Sequence, residues 1–481
     1  MHSSNIIVRV NFLLGLLALG GCTKMLTPVQ MPSSIRPTAT FVGRTDSTSI
    51  GQVPWKVFFA DPDLAALIDT ALRNNPDLKM AMQRIQMARA EVLRTKGFLL
   101  PSVRFEASTG VRKYGDYTMD GVGNYDTNFS DNIGEDRRIP TLLPDYFLGL
   151  RSSWEVDIWG RLRTLREAAY ARFLATEQGR QLVVTRLVAE VSGLYYELLT
   201  LDNELEIIRK NKTLQETAVE TIVIQKEGGR ANELGVRQFR AQLLNTQSLE
   251  VQKQQQIIEA ENLLNALLGR FPQPIQRGAS ILQQKLPDEI SAGIPATMLR
   301  RRPDIRQAEL ELVASKADLQ AARAAFLPSL NISAHAGFNA FNAGMLFNPA
   351  SLAYGLLGGL AAPVFNRKAL EAGRMWAQAS SLGALAAYNQ AVIRGYQEVV
   401  TSIRGIENLE KVAGLKAQEV LVLQQAVSVA NDLYLAGYAS YLEVIMAQRS
   451  VLQAELELTD IQKQQFLSMI DLYRALGGGW E

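Results

Sequence analysis

Apolar and polar residues alternate along four short stretches of the chain, at about residues 102–111, 147–158, 329–339 and 351–364. Alternation with a period of two predicts β-strands. One face of each predicted strand is apolar, and the other is polar or carries small side chains. The wall of a transmembrane β-barrel, with lipid outside and water inside, has this pattern. Four half-buried strands of a water-soluble sheet would show the same alternation.

The rest of the chain has the periodicity and composition of long helices. Residues 161–227 contain no proline and only two glycines, and residues 367–436 again contain no proline. A helix over the first range would be about 100 Å long. Each range ends near a glycine break, and the Gln-, Ala- and Leu-rich pattern that follows suits helices packed side by side with one wet face. Beyond the N-terminus there is no run of about 18 apolar residues, so no transmembrane helix is predicted there.

Two segments of the chain repeat one another. The Pro-Asp pair at Pro76 recurs at Pro303, and the Leu-Pro-Ser around Pro101 recurs around Pro328, both at an offset of 227 residues (303 minus 76, and 328 minus 101). A second match pairs the segment at residue 229 with that at residue 437, an offset of 208 residues. Such spacing indicates an internal duplication. We predict a first repeat at residues 61–269, a linker at 270–301 and a second repeat at 302–477.

The N-terminal residues have the organisation of a secretory signal. A basic residue precedes an apolar run over residues 12–19, which is too short to span a bilayer, and Gly-Gly-Cys22 follows. The Leu-Gly-Gly-Cys pattern resembles a bacterial lipobox. We therefore predict a signal peptide at residues 1–21, a lipid such as palmitate on Cys22, and a tether over residues 22–60, which are rich in Pro, Ser and Thr. An ordinary signal peptide beside a chance cysteine is the alternative.

Composition excludes several classes of function. The chain has 481 residues, 47% of them hydrophobic and 20% charged, with a formal net charge of +2, whereas nucleic-acid binding usually needs a clustered basic surface. Cys22 is the only cysteine, so neither an intrachain disulfide nor a thiolate metal site is expected. Once the signal is removed, His335 is the only histidine, which argues against zinc sites and most histidine-based catalysis. We predict no metal and no cofactor.

Two alternatives to a transport role follow from the same features. A periplasmic enzyme, such as a glycosidase, would use paired carboxylates, but nearly all Asp and Glu residues fall at helical surface positions. The sequence contains no nucleophile elbow, phosphate loop or metal cluster, so we predict that the protein is not an enzyme. A structural or adhesive coiled-coil lipoprotein would explain the helices and the lipid, but not two strand pairs inserted at matching points of the repeats.

Four strands are too few to close a barrel by themselves. The smallest closed bacterial barrels have about eight strands. An open edge in lipid leaves backbone groups unpaired at a cost of several kcal/mol each. Other copies of the chain must therefore complete the wall. Two copies supply eight strands and three supply twelve, and only the larger barrel has a lumen wide enough for a solute rather than filled by side chains.

Several motifs in this chain resemble those of one family. They are the lipobox at Cys22, the Ser-Trp-Glu-Val-Asp-Ile-Trp-Gly-Arg-Leu-Arg segment at 153–163, the segment at 294–304 that ends Arg-Arg-Arg-Pro-Asp, and Ala436-Gly437 with Leu-Glu-Val-Ile at 442–445. With the duplicated plan of a helix, two strands and a helical hairpin, they resemble TolC-type outer-membrane efflux ducts over about residues 22–477. The closer resemblance is to the lipoprotein branch that serves RND pumps, the OprM- and NodT-like proteins.

The resemblance implies a mainly α fold with β-strands. Each of three identical protomers would contribute four strands to a twelve-stranded membrane barrel, joined to a long periplasmic α-helical barrel. The implied function is the passive exit duct of a tripartite efflux system for drugs, metals or other small solutes. Its partners would be a periplasmic membrane-fusion adaptor and an inner-membrane RND-type pump, and its location the bacterial outer membrane. The sequence does not identify the exported compound.

The two glycine breaks are the candidate narrow end of the duct. Glu233 and Glu443 each lie within about two helical turns of a break, and carboxylates crowded near a threefold axis would favour cations. The resemblance places Glu443 where related ducts carry an aperture acid and Tyr434 where some carry an aperture tyrosine, and we group Tyr441 with them. A plain solvated glutamate is the alternative for Glu443.

One position departs from the family pattern at this end. Ala439 stands where TolC has a gate-locking arginine, and Arg230 of the other hairpin is a conceivable substitute. Small residues beside the breaks would let the hairpin of an adaptor approach closely. The candidate adaptor contacts are Gly229, Arg230, Ala231, Gly437, Tyr438, Ala439 and Ser440.

Overall fold

The computed structural model describes residues 32–34, 39–41, 48–285 and 291–481. The predicted signal peptide, Cys22 and most of the tether lie outside the described residues. The helices are α1 Trp55–Phe58, α2 Pro62–Asn74, α3 Pro76–Gly97, α4 Met119–Thr127, α5 Arg161–Glu227, α6 Glu233–Leu267, α7 Pro295–Arg301, α8 Pro303–Ala324, α9 Arg367–Leu435 and α10 Tyr441–Ala475. The strands are β1 Ser102–Arg112, β2 Leu143–Val156, β3 Ser329–Ala340 and β4 Leu352–Ala361.

The chain packs into two compact units, and each unit draws on both sequence repeats. The strand unit takes in residues 88–173 and 311–384, and the helical unit is built from the described parts of 33–87, 174–310 and 385–481. The predicted division into two consecutive repeats is therefore not the division into compact bodies. The reason is that β2 of the first repeat hydrogen-bonds to β3 of the second.

The duplication is visible in the lengths of corresponding elements. Helices α3 and α8 have 22 residues each, and α6 and α10 have 35 each. The two long helices, α5 and α9, have 67 and 69 residues. The connections within the two strand pairs differ instead, because the first contains α4 and the second only two short 3-10 turns.

The four strands form one antiparallel sheet in the order β1-β2-β3-β4. Since successive side chains of a strand point to opposite faces, the register collects apolar residues on one face and polar or small residues on the other. The apolar face is bare within the protomer: Phe105 is 69% exposed and Leu356 is 78% exposed. A contiguous apolar surface of this kind marks contact with a membrane or another protein.

The strand ends differ from those predicted by alternation, because local chemistry stops or extends the pairing. β2 ends at Val156 rather than at residue 158, since the Asp157 carboxylate accepts hydrogen bonds from the Leu162 and Arg163 amides, both at 2.9 Å, at the start of α5. β2 also begins earlier, at Leu143 rather than at residue 147. β4 ends before Pro363, which has no amide hydrogen to donate.

Apolar side chains of α1, α2, α5, α6 and α10 form the largest core of the helical unit. Leu64, Ile68, Leu198 and Leu264 in this core are completely buried, and each contributes about 1.5–3 kcal/mol relative to an exposed side chain. The start of α2 is anchored by Asp61, whose Oδ1 accepts from the Asp63 amide at 2.8 Å. Across the described residues, none of the helices is both long enough and apolar enough to cross a membrane.

Candidate functional site

Both glycine breaks adopt the same turn. Gly229 and Gly437 have φ angles of 74° and 82°, values in the left-handed region that glycine tolerates best. In each bend the amide of the residue after the glycine donates to the carbonyl five residues earlier. The Arg230 amide donates to the Gln225 carbonyl at 2.8 Å, and the Tyr438 amide donates to the Leu433 carbonyl at 2.9 Å. This is a Schellman ending, so the two long helices stop in the same way.

The helices that follow the bends begin three residues later, at equivalent N-caps. The Asn232 side chain accepts a hydrogen bond from the Gly235 amide at 2.9 Å. Ser440 caps α10, and here a reciprocal capping box forms, because the Ser440 amide also donates to Oε2 of Glu443 at 2.9 Å. A capping box satisfies two amides that a helix start would otherwise leave unpaired. Glu443 therefore has a structural task at the bend.

The two bends pack against each other in the helical unit. Ile222, Val236, Phe239 and Val444 are buried in a small apolar cluster, which we call the bend cluster, with Tyr434 and Tyr441 packed against it. The Tyr434 hydroxyl also hydrogen-bonds to the Gln225 side chain, which ties the end of α9 to the end of α5. Burial raises the pKa of Tyr434, so this hydroxyl stays protonated at neutral pH.

Tyr441 lies against a glycine of the other hairpin. A Cβ added at Gly235 would come within 3.2 Å of the Tyr441 ring, tighter than an ordinary contact. Gly235 occupies the position in α6 that Glu443 occupies in α10, three residues after the N-cap. The equivalent positions of the two repeats thus do different things: one makes room for an aromatic ring, and the other carries a carboxylate.

The two candidate aperture acids differ in their surroundings. Glu233 lies between two cations, 2.5 Å from Nζ of Lys226 and 2.7 Å from Nε of Arg237. These two hydrogen bonds, the one from Lys226 first, lower the pKa of Glu233 and offset its charge. The pKa of Glu443 is lowered chiefly by the hydrogen bond from the Ser440 hydroxyl. The lowered pKa keeps Glu443 ionised at neutral pH. Ser440 is neutral, so this hydrogen bond brings no opposing charge.

The structure brings the candidate adaptor contacts together around the two bends, at different depths. Tyr438 is 85% exposed, and Gly229, Arg230, Gly437 and Ser440 are also exposed. Ala231 and Ala439 are half-buried, and Ala231 packs against the bend cluster. Sequence reasoning missed Gln225, Lys226 and Gly235, which contact the candidate aperture residues. Of these three, only Lys226 had a signal in the sequence, because it lies seven residues before Glu233, on the other side of the bend.

Comparison with known proteins places this geometry in one family. The model of the family described as outer membrane efflux protein matches residues 67–270 and 294–478. Over 475 residues, the chain is 30% identical to the solvent efflux pump outer membrane protein SrpC of Pseudomonas putida, a match that covers 97% of each chain. The chain belongs to the outer membrane efflux protein family.

Two further similarities extend over nearly the whole length of this family member. It is 28% identical over 470 residues to the probable outer membrane lipoprotein SilC of Salmonella typhimurium, which covers 96% of each chain. It also matches a crystal structure of CusC, from work on its folding and transmembrane channel formation, with a TM-score of 0.79 and 27% identity, covering 94% of this chain and 99% of that one.

These findings confirm the predicted fold class and function at the level of the family. The protein has a TolC-like fold, mainly α with β, and is an outer-membrane channel component of an efflux pump. Efflux ducts of this family work with inner-membrane pumps and adaptors. The family is one of transport ducts rather than enzymes, as predicted, and the comparisons do not support a purely structural or adhesive coiled coil. In the described part of the chain, no three His, Cys, Asp or Glu side chains form a metal-binding group.

Proposed function

We propose that three copies of the chain form a continuous duct whose membrane section is a twelve-stranded barrel. The observation that carries the proposal is the sheet of one protomer, which has one bare apolar face and two edge strands, β1 and β4, with a strand partner on one side only. Pairing β4 of one copy with β1 of the next removes these edges, which lipid does not tolerate. Three copies give a lumen that a solute can pass.

The proposed orientation puts the strand connections outside the cell and the helical bends in the periplasm. Barrel proteins carry their longer loops on the outer face, and the connection from residue 113 to residue 142, which contains α4, is the longer of the two in this chain. Cys22 would carry the lipid anchor on the periplasmic side, and residues 22–60 would lead from it to the first repeat. The two repeats, 61–269 and 302–477, would each supply one strand pair and one helical hairpin, with 270–301 as the linker.

The bends are the proposed aperture and the surface that meets the adaptor. Three copies of Glu443 near the axis would form a ring of negative charge, since its hydrogen-bond partner Ser440 brings no opposing charge. Tyr434 and Tyr441 would hold the two bends of each protomer together, and Glu233 would serve mainly as an ion-pair partner of Lys226 and Arg237. The exposed residues of both bends, with Tyr438 the most prominent, would contact a periplasmic adaptor that links the duct to an RND-type pump.

Reconstitution into a planar lipid bilayer tests the duct. The purified protein should run as a trimer by native mass spectrometry in detergent and should give discrete, ion-conducting openings. A trimer that never conducts, under any voltage or salt gradient, would contradict the proposed channel.

Glu443 is tested with three substitutions that separate its charge from its capping bond. Glu443→Gln removes the charge and keeps a side chain that suits a capping box, whereas Glu443→Ala removes both and Glu443→Lys reverses the charge. We expect Gln to weaken cation preference, Lys to weaken it further, and Ala to change conductance as well. If all three variants form the trimer and keep the ion selectivity and conductance of the unmodified protein, Glu443 is not part of the aperture.

A further inference from the structure

The polar face of the sheet carries a row of cationic side chains at one level. Arg104 of β1 is the register partner of Arg151 of β2, and Arg151 is the partner of His335 of β3. On β4 the row ends at Gly355, the partner of His335. We call Arg104, Arg151 and His335 the basic row. Because each is a direct cross-strand partner of the next, all three project from the same face of the sheet.

Two members of the basic row, Arg151 and His335, are oriented by contact with a buried aromatic ring. Phe147, on the same face, is only 6% exposed. The Arg151 guanidinium lies 4.7 Å from the centre of the Phe147 ring, a cation–π contact, and the His335 ring meets Phe147 edge-on at 6.3 Å. Gly355 gives the histidine its space, because a Cβ there would lie 2.5 Å from Cε1 of His335. Substitution at Gly355 would displace the ring.

Positive charge exceeds negative charge within the basic row. Glu106 lies 3.1 Å from Nε of Arg151 and 3.4 Å from Nε of Arg104, so a single carboxylate serves two guanidinium groups. Asp145, further along β2, is engaged by the side-chain amide of Asn339 at 2.7 Å. Arg104 and Arg151 together with Glu106 therefore keep about one positive charge per protomer.

The row also borders a cavity with hydroxyl donors. This cavity, of about 370 Å³, is lined by Arg104, Arg151 and His335 together with Ser102, Ser153 and Ser333 from the next level of the same face. Guanidinium groups present paired N–H donors that match the oxygens of carboxylates and phosphates. Cations beside hydroxyls in a polar recess are the combination that holds an oxyanion.

We infer that the basic row is a binding site for oxyanions on the water-facing wall of the barrel. The inference rests on the proposed duct, in which the polar face lines the lumen and three copies of the row form a belt. The belt would attract solutes that carry a carboxylate or phosphate group, because a ring of like charge in a pore selects ions of the opposite sign.

Single-channel recording with chloride and inorganic phosphate as probes tests the belt. In a gradient around 0.1 M KCl, the chloride-to-potassium permeability ratio should fall about twofold or more in Arg151→Gln. Arg104→Gln, which changes a side chain that is 73% exposed, should do the same without the risk of disturbing Phe147. Phosphate should reduce the unit current of the unmodified protein more than that of either variant. The differences should shrink in 1 M KCl, where screening is stronger.

His335→Gln tests the third member of the row and should weaken the response of the unit current to phosphate. Arg112→Gln is the matched control, because Arg112 is an arginine on the same face of β1 but outside the row. It removes the same lumen charge and should leave the response to phosphate unchanged.

The outcomes separate the two proposals. If no conducting trimer forms, the duct fails, and the belt fails with it. If the unmodified protein and the variants of the basic row conduct with the same ion selectivity and the same response to phosphate, the duct stands and the belt is wrong.

Discussion

Residues 300–302 are three consecutive arginines. Removal of the Arg302 side chain should destabilise the helical unit more than removal of either of the other two. The guanidinium is 7% exposed and makes a two-pronged contact with Asp304, at 3.0 Å and 2.6 Å. It also donates to Glu398 at 2.7 Å and to the Ala475 carbonyl at 3.1 Å. One side chain thus joins the start of α8 to α9 and to the last residue of α10.

The magnitude follows from what Arg302→Ala would leave behind. Two carboxylates that are less than a third exposed would lose their common cation. Removing one partner of a buried ion pair costs about 3–5 kcal/mol, because the remaining charge is uncompensated. Arg302→Lys keeps a charge but not the paired geometry, so its loss should be intermediate. Urea unfolding followed by circular dichroism in one detergent, at pH 7 and compared at constant slope, measures the differences.

Arg300→Ala is the matched control, since Arg300 is exposed near the end of α7, two residues before Arg302, and surface substitutions usually stay within about 0.5 kcal/mol. The pH dependence supplies a second test. Burial alone would raise the pKa of Asp304, but the bonds and charge of Arg302 outweigh it, and the pKa lies below its usual value. Such a carboxylate stabilises the protein above the unfolded pKa, and the contribution is lost as pH falls through the folded pKa.

In Arg302→Ala that stabilisation is absent, and burial favours the protonated acid. The difference between the unmodified protein and the variant should therefore shrink from pH 7 towards pH 3. A loss at pH 7 no larger than that of Arg300→Ala, or a difference that grows on acidification, would refute the assigned role of Arg302.

Three further predictions concern the anchor, the topology and the bend. Mass spectrometry of the mature N-terminus should find an acylated Cys22, and Cys22→Ala should weaken sorting more than folding; an unmodified terminus at another residue would contradict the anchor. In intact cells a membrane-impermeant thiol reagent should label Tyr117→Cys, in the long strand connection, but not Tyr438→Cys. In permeabilised cells it should label both variants. Labelling of Tyr438→Cys but not Tyr117→Cys in intact cells would show that the proposed topology is inverted. Gly437→Ala should lower the free energy of unfolding by about 1–2 kcal/mol, because alanine tolerates the left-handed backbone poorly, and Gly437→Asn should lower it less. Equal unfolding midpoints for the two variants would exclude backbone strain as the cause.

Much of the sheet could be predicted from sequence because period-two alternation determines both the existence of a strand and its outward face. Alternation within residues 102–111 predicts that Val103 and Phe105 share the apolar face, and the strand register agrees. The strand ends could not be predicted in the same way. They depend on a single capping side chain at Asp157 and on the missing amide hydrogen of Pro363, which alternation does not report.

The candidate site was predicted less completely, because its contacts join residues far apart in the chain. Sequence reasoning named Glu443 and Tyr434 as candidates through family resemblance, and it located both glycine bends through the duplication. It missed Gln225, which bonds Tyr434 across 209 positions, because nothing local marks a glutamine at the end of a long helix. The compact units were missed for a related reason: strand pairing between repeats overrides the order of the repeats along the chain.

Divergence between the repeats at one position decides how many charges an aperture can carry. If both repeats had kept an acid at the third position of the returning helix, a trimer would place six such carboxylates around its axis. The first repeat has Gly235 there instead, and the Tyr441 ring fills the space that a side chain at this position would need. The nearby acid of that hairpin, Glu233, is paired with Lys226 and Arg237. Glu443 has no cation within ion-pair distance among the described residues, so the proposed trimer would bring three carboxylates without a cationic partner to its axis. Each of them also caps its own helix start. In the proposed duct, charge selection and local stability at the bend would depend on the same side chain. Only a substitution that keeps the cap, Glu443→Gln, can therefore tell them apart.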